Sequence, residues 1–350
     1  SGLSLSARPG LISMILRSFS GLKTVNVKII PVYIGYEKIL EGESYRSATL
    51  GKPKKGESIL DTLKVIKDFN NYLGSVYINF GESIDLSEFL DQELDGEDFY
   101  IDSPLERPKW LKDATFNLGE KIMQNINSAT AVTGTSLFAI SLLTENTQAL
   151  NEEKLQKRIK MYLHLIKNSE SYKDVWITKE HPQDIINKTL KLKLIQQKLT
   201  GGYKIFNPNS NEVALLSFYK NNISHLFILF SAICESLKYS KYLSKEEIVR
   251  LVSLVYPFLK RDFNLIEKGK LTTSINNALN TLIDMGLIQI LNNDRLQKPG
   301  LESVKLEDYL ALCNVCEPSI KRFYIIMNSL WSDSLLKKKE LKDRCIKIAK

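Results

Sequence analysis

The stretch VNVKIIPVYIGYE, Val25–Glu37, decides how this chain is read. It is almost continuously apolar and β-branched, the pattern of a strand covered on both faces in a parallel sheet. Pro31 interrupts it. Proline has no N–H to give to a ladder, so it belongs at an edge, a bulge or a strand end. Glu37 then falls just beyond the carboxyl end of the strand, where open α/β sheets gather their ligands. The plainer alternative is an edge strand running into a solvated turn.

Working outward, a polar loop GKPKKGES (Gly51–Ser58) precedes an amphipathic helix with Ile59, Leu60, Leu63, Ile66 and Phe69 on one stripe. Gly74 suits its C-terminal cap, and SVYINFGES (Ser75–Ser83) reads as a second strand. Strand, helix, strand is a βαβ unit, which predicts a parallel pair and a right-handed crossover. Two strands and one helix cannot cover a parallel sheet on both faces. We therefore expect further strands upstream of Ser1, and the absence of an initiator methionine points the same way. An acidic, turn-rich linker is expected from about Ile84 to Pro108, around DQELDGEDF. Beyond it the period is helical. Leu118, Ile122 and Ile126 line one helix, and Leu155, Ile159, Tyr162 and Ile166 another. SKEE (Ser244–Glu247) is a capping box, and INNALNTLIDMGLIQILNNDRLQ reads as a helix followed by a short hairpin. The expected fold class is α/β plus α. Residues 1–90 form an incomplete α/β domain, a βαβ remnant; 91–112 are a linker; 113–350 form a mainly helical carboxyl-terminal domain.

The 350 residues carry 48 Lys and Arg against 40 Asp and Glu, a net charge of +8. That excess favours an anionic partner, whether phospholipid headgroups, a phosphorylated substrate or nucleic acid, and does not choose among them. The apolar runs Ile223–Cys234 and Thr130–Leu143 fall short of the ~20 residues a membrane span needs. Four cysteines and no disulfide pattern fit a reducing compartment. CNVC (Cys313–Cys316) lacks the second ligand pair of a zinc site, so a half-buried helical pair is expected and no metal.

GKPKKGES imitates a phosphate loop, but Glu57 stands where the lysine is required and would repel phosphate. The basic segments LKLKLIQQK and LLKKKELK could lie on anionic lipid, or simply face water. The helix and hairpin at Asn277–Gln297 lack clustered arginines, so nucleic acid is not an expected partner. The chain has three histidines, His164, His181 and His225. His164 sits in a helical stripe, His181 precedes Pro182 in a loop and His225 lies within an apolar run, and none stands in a recognisable catalytic setting.

IIPVYIGYEKILEGESY (Ile29–Tyr45) resembles the fourth acyltransferase block of the bacterial membrane-associated glycerol-3-phosphate acyltransferases. GSVYINFGE, RPKWL, INSATAV, SFYKNNISH and LVYPFLK continue the resemblance, in order, along the carboxyl-terminal portion of that family. The resemblance implies transfer of an acyl group from acyl carrier protein (acyl-ACP) or coenzyme A (acyl-CoA) to the sn-1 hydroxyl of glycerol 3-phosphate, the first step of phospholipid synthesis. The family's His-x4-Asp motif supplies the general base for that alcohol. Five positions after His164, His181 and His225 stand Ser169, Ile186 and Phe230, so the motif is expected upstream of Ser1, no catalytic residue is assigned in this chain, and the chain alone is expected to be inactive. Carried over by position, the fourth-block residues that help hold the acceptor are Pro31, Tyr33, Gly35, Tyr36 and Glu37. The resemblance implies no cofactor. It implies a peripheral place, without a transmembrane helix, on the anionic surface of the bacterial inner membrane, cytoplasmic face. The alternative is a non-catalytic, basic helical module that docks on membrane or on partner proteins.

Overall fold

The computed structural model describes residues 5–22, 26–39, 74–96, 98–101, 108–147, 149–169, 172, 175–265, 269–291, 294–331 and 337–349. The loop at Gly51–Ser58 and the helix expected near Ile59–Phe69 lie outside these. The chain is mainly helical, with small sheets.

Helix α1 (Pro9–Ser20) starts on Pro9, whose fixed φ suits a first helical turn. The opening apolar run then splits at Pro31 into β1 (Lys28–Ile29) and β2 (Val32–Tyr36), which pair with different strands. β1 pairs antiparallel with β4 (Ile84–Asp85). β2 pairs antiparallel with β3 (Val76–Phe80), Val32 opposite Phe80 and Tyr36 opposite Val76. The expected parallel pair is therefore corrected. The chain leaves β2 and re-enters β3 at the same end of the ladder, and the Glu37 amide extends the pairing to the Ser75 carbonyl at 3.1 Å.

The expected linker also contains structure. Asp85 caps α2 (Leu86–Glu93) by accepting from the amides of Ser87 and Glu88. Leu86, Phe89 and Leu90 are buried while Glu88 between them faces outward. These three close a small core with Ile12, Leu16 and Phe19 of α1, Ile84, Phe99, and Leu111, Ala114 and Leu118 of α3 (Trp110–Ser128).

The larger core belongs to the helices that follow. They are α4 (Gly134–Leu143), α5 (Glu152–Lys167), α6 (Pro182–Lys191), α7 (Ser210–Ser224), α8 (Ile228–Lys238), α9 (Lys245–Phe263), α10 (Leu271–Asp284), α11 (Leu306–Trp331) and α12 (Lys338–Ala349). Leu155, Ile159, Tyr162 and Ile166 are buried on α5 as their spacing predicts. The Ser244 and Glu247 capping box opens α9. β10 (Gln289–Ile290) and β11 (Leu296–Gln297) form the hairpin after α10. Short β5 (Ala131–Val132) and β7 (Trp176–Ile177) run parallel, and β6 (Leu150–Asn151), β9 (Tyr203–Phe206) and β8 (Gln197–Thr200) form a three-stranded antiparallel sheet in that spatial order. Through one 3-10 turn, α7 and α8 join into a helical stretch, Ser210–Lys238, long and apolar enough to cross a membrane. Most of its apolar window, 61%, is buried among the neighbouring helices, which accounts for its composition as core. Cys234, Cys313 and Cys316 are fully buried, deeper than the half-buried pair expected. Burial raises the Cys234 and Cys316 thiols well above their ordinary range.

Candidate functional site

The two faces of the β2–β3 pair differ in a way that matters for everything built on it. One face carries Tyr33, Gly35, Tyr77 and Asn79 and lies toward the helices. Asn79 donates to the Ala129 carbonyl at 2.9 Å, and the Tyr77 ring sits 4.5 Å from that of Trp176. The other face carries Val32, Ile34, Tyr36, Val76, Ile78 and Phe80, all exposed, from 37% at Val32 to 72% at Phe80. In register they form three cross-strand apolar pairs, Val32 with Phe80, Ile34 with Ile78, and Tyr36 with Val76. A sheet that keeps one face wet puts its polar side outward. Among the described residues nothing covers the apolar side, and the polar, aromatic side is packed. Covering six half-exposed side chains of this size is worth on the order of 5 kcal/mol. Leu11 and Met14 of α1 are exposed as well.

Of the five acceptor residues expected from sequence, Pro31 is buried, and its carbonyl accepts from the Gly81 amide at 2.8 Å. Tyr33 is half-buried, and burial pushes its hydroxyl up to about 12. Gly35 is buried beneath the Tyr33 ring, and a Cβ there would come within 2.7 Å of it. Tyr36 is exposed. Pro31 thus precedes β2, Tyr33 and Gly35 lie on its packed face, and Tyr36 lies on the opposite, exposed face.

Glu37 is fully buried, and protein donors surround it. Its Oε2 accepts from the Ser75 amide at 2.8 Å, and its Oε1 from the Tyr77 hydroxyl at 3.0 Å and from Lys188 Nζ at 2.5 Å. Lys188, on α6, also donates to Glu180 at 2.9 Å, and Thr178 holds the second Glu180 oxygen at 3.0 Å. Burial pulls the Lys188 ammonium down, and the Glu37 and Glu180 carboxylates more than reverse this, leaving it above the ordinary lysine value. Burial first, and then the negative Glu37, raise the Tyr77 hydroxyl to about 12, so it remains a donor. Gly74 has φ +76°, and a Cβ there would lie 2.6 Å from Glu37 Oε2, so glycine is required for the Ser75 amide to reach the carboxylate. Sequence reading missed Lys188 entirely, since it sits 151 positions from Glu37 in a lysine-rich helix.

The histidines stand apart from this cluster. His164 and His181 are exposed, His181 as the residue preceding α6. His225 is buried, with Nε2 3.1 Å from the Asn127 carbonyl. The Asn127 amide in turn donates to the carbonyls of Phe263 and Asn264 at 2.9 and 3.2 Å. INSATAV, SFYKNNISH and the helix that carries LVYPFLK therefore meet in one structural knot.

The family model described as "Glycerol-3-phosphate acyltransferase C-terminal region" matches residues 45–350. A protein named glycerol-3-phosphate acyltransferase from Pseudomonas syringae pathovar tomato is 30% identical over 351 aligned positions, covering 99% of this chain and 42% of its own length. The proteins of the same name from Pseudomonas putida strain W619 and Pseudomonas fluorescens strain Pf-5 are 31% and 29% identical with the same coverage. The chain thus spans about 42% of the length of these relatives. By the match over 45–350, the chain belongs to the family of the glycerol-3-phosphate acyltransferase C-terminal region.

Proposed function

We propose that this chain is the acceptor side and helical portion of a glycerol-3-phosphate 1-O-acyltransferase, which moves an acyl group from acyl-ACP or acyl-CoA to the sn-1 hydroxyl of glycerol 3-phosphate. The apolar face of β2–β3, which no other described residue covers, carries this reading. Its six side chains fit the interior of a larger α/β domain whose other layers come from the portion that the relatives have and this chain does not. In this reading residues 1–90 are the remnant of that domain, 91–112 the connection, and 113–350 the helical domain. The histidine and aspartate that deprotonate the acceptor hydroxyl stand in the other portion. The oxygen so freed attacks the thioester carbonyl, and the thiol leaves. In this reading Tyr36 meets the acceptor from the open face of β2, while Pro31, Tyr33, Gly35 and Glu37 shape that side of the cleft from the packed face behind it.

The proposed place is the cytoplasmic face of the bacterial inner membrane, peripheral to an anionic surface. Tyr324, Met327 and Trp331 of α11 are exposed, Trp331 at 91%, and α12 beside them carries Lys339, Lys342, Arg344 and Lys347. Aromatic side chains beside lysines suit a headgroup layer.

Transfer of a labelled acyl group to glycerol 3-phosphate tests the reading. This chain alone is expected to transfer nothing, and the chain joined to the upstream portion of its relatives to be active. Transfer by the short chain at a similar rate, or none by the joined one, would overturn the assignment.

A further inference from the structure

The Glu37 cluster joins the helical portion to the acceptor strand. We infer that Lys188 is a positioning residue for the acceptor strand, holding the end of β2 in place through the buried carboxylate of Glu37. The inference rests on the proposed acceptor role of that strand.

Four observations carry it. First, Glu37 follows the last residue of β2 directly, and its own amide continues the ladder to Ser75, so fixing its carboxylate fixes the strand end. Second, the carboxylate is fully buried, and Lys188 is the cation that compensates it, at 2.5 Å. A buried carboxylate deprived of its cation is driven toward water, and it takes its backbone along. Third, Lys188 hangs from a rigid mount. Ile185, Ile186 and Thr189 of α6 are buried in the large core, and Glu180 steadies the ammonium from the far side. Fourth, the contacts around it hold the same hairpin to other helices. The Ile39 amide donates to the hydroxyl of buried Tyr219 on α7 at 3.0 Å, and Asn125 of α3 donates to the Glu82 carbonyl at 2.8 Å. The polar face of β2–β3 is thus tied to α3, α6 and α7. Of these ties, the one made by Lys188 ends on the residue next to Tyr36. Two carboxylates flank Lys188, so it is spoken for as an ion-pair partner and does not itself bind the phosphate.

The test uses the chain joined to its upstream portion, with Lys188→Met, Lys188→Arg and Glu180→Gln. A displaced acceptor strand raises KM for glycerol 3-phosphate, by about tenfold or more in Lys188→Met. KM for the acyl donor should stay within about twofold. Lys188→Arg keeps the charge and should restore most of the loss, and Glu180→Gln, which leaves Glu37 paired, should give a smaller rise. A purely structural role would lower the folded fraction, which scales kcat and moves neither KM. An unchanged KM for glycerol 3-phosphate in Lys188→Met overturns the inference. Should the joined wild-type chain transfer nothing, the functional proposal falls, and the positioning claim is decided by amide exchange in the same proteins. Faster exchange at Ser75 and along Tyr33–Glu37 in Lys188→Met supports it, and unchanged exchange refutes it.

Discussion

Acidification should destabilise this protein through one histidine. His225 is buried at the junction of α7 and α8, its Nε2 toward the Asn127 carbonyl and its ring edge-on to Tyr172 at 5.8 Å. Burial pushes its pKa down to about 4, against a weaker upward pull from the Asn127 carbonyl, and the unfolded chain titrates near 6.5. The folded value lies below the unfolded one, so the stabilisation is complete above pH 6.5 and is lost as the pH falls toward 4. At about 1.4 kcal/mol per pH unit the whole window is worth about 3 kcal/mol, and about 2 kcal/mol is gone by pH 5. The comparison is His225→Gln, which places an amide N–H near the same carbonyl and does not titrate. Urea unfolding followed by tryptophan fluorescence at pH 7.5 and pH 5 gives the loss for each protein, and groups common to both cancel in the difference. The wild type should lose about 2 kcal/mol more than the variant. A difference below about 0.5 kcal/mol would refute the placement of His225 as a buried neutral ring, and with it the reasoning that takes this histidine out of catalysis.

Two further outcomes follow from the contacts of the β2–β3 hairpin. Lys188→Met leaves a fully buried carboxylate with two neutral donors and should cost about 3 kcal/mol in urea unfolding, of which adding Glu37→Gln should recover about half. Equal stabilities for the single and double variants would mean that the two side chains are not coupled. Gly81→Ala should cost about 2 kcal/mol by the same measurement, because its Cβ would come within 2.5 Å of the Asn125 backbone oxygen, which α3 cannot move. An unchanged midpoint would show that the hairpin does not rest on α3 there.

The helices were legible because their signals are local. The stripe Leu155, Ile159, Tyr162 and Ile166 and the Ser244–Glu247 box each lie within a few turns, and the structure repeats them. Pro31 was legible as a break for the same reason, and it separates two strands with different partners. Pairing direction was not, because it depends on where the chain returns after Glu37. The run of apolar residues also misled in an instructive way. VYIGY reads as buried on both faces, yet one face is bare. The acidic stretch at Ile84–Pro108 hid α2, since its charges outnumber the three apolar residues that dock it. In the candidate site, the fourth-block residues were readable from their order, while Lys188 carries no mark that sets it apart from the lysines around it.

Solvent labelling at Ile78 decides whether the apolar face of β2–β3 is an internal surface of the longer protein. Ile78→Cys is read in a background with Cys345→Ser, the remaining cysteines being buried. In this chain alone the new thiol should react nearly as fast as a free one. In the chain joined to its upstream portion it should react about a hundredfold more slowly. Equal rates in the two proteins would mean that the face stays open to water, and that the enzyme is not assembled on it.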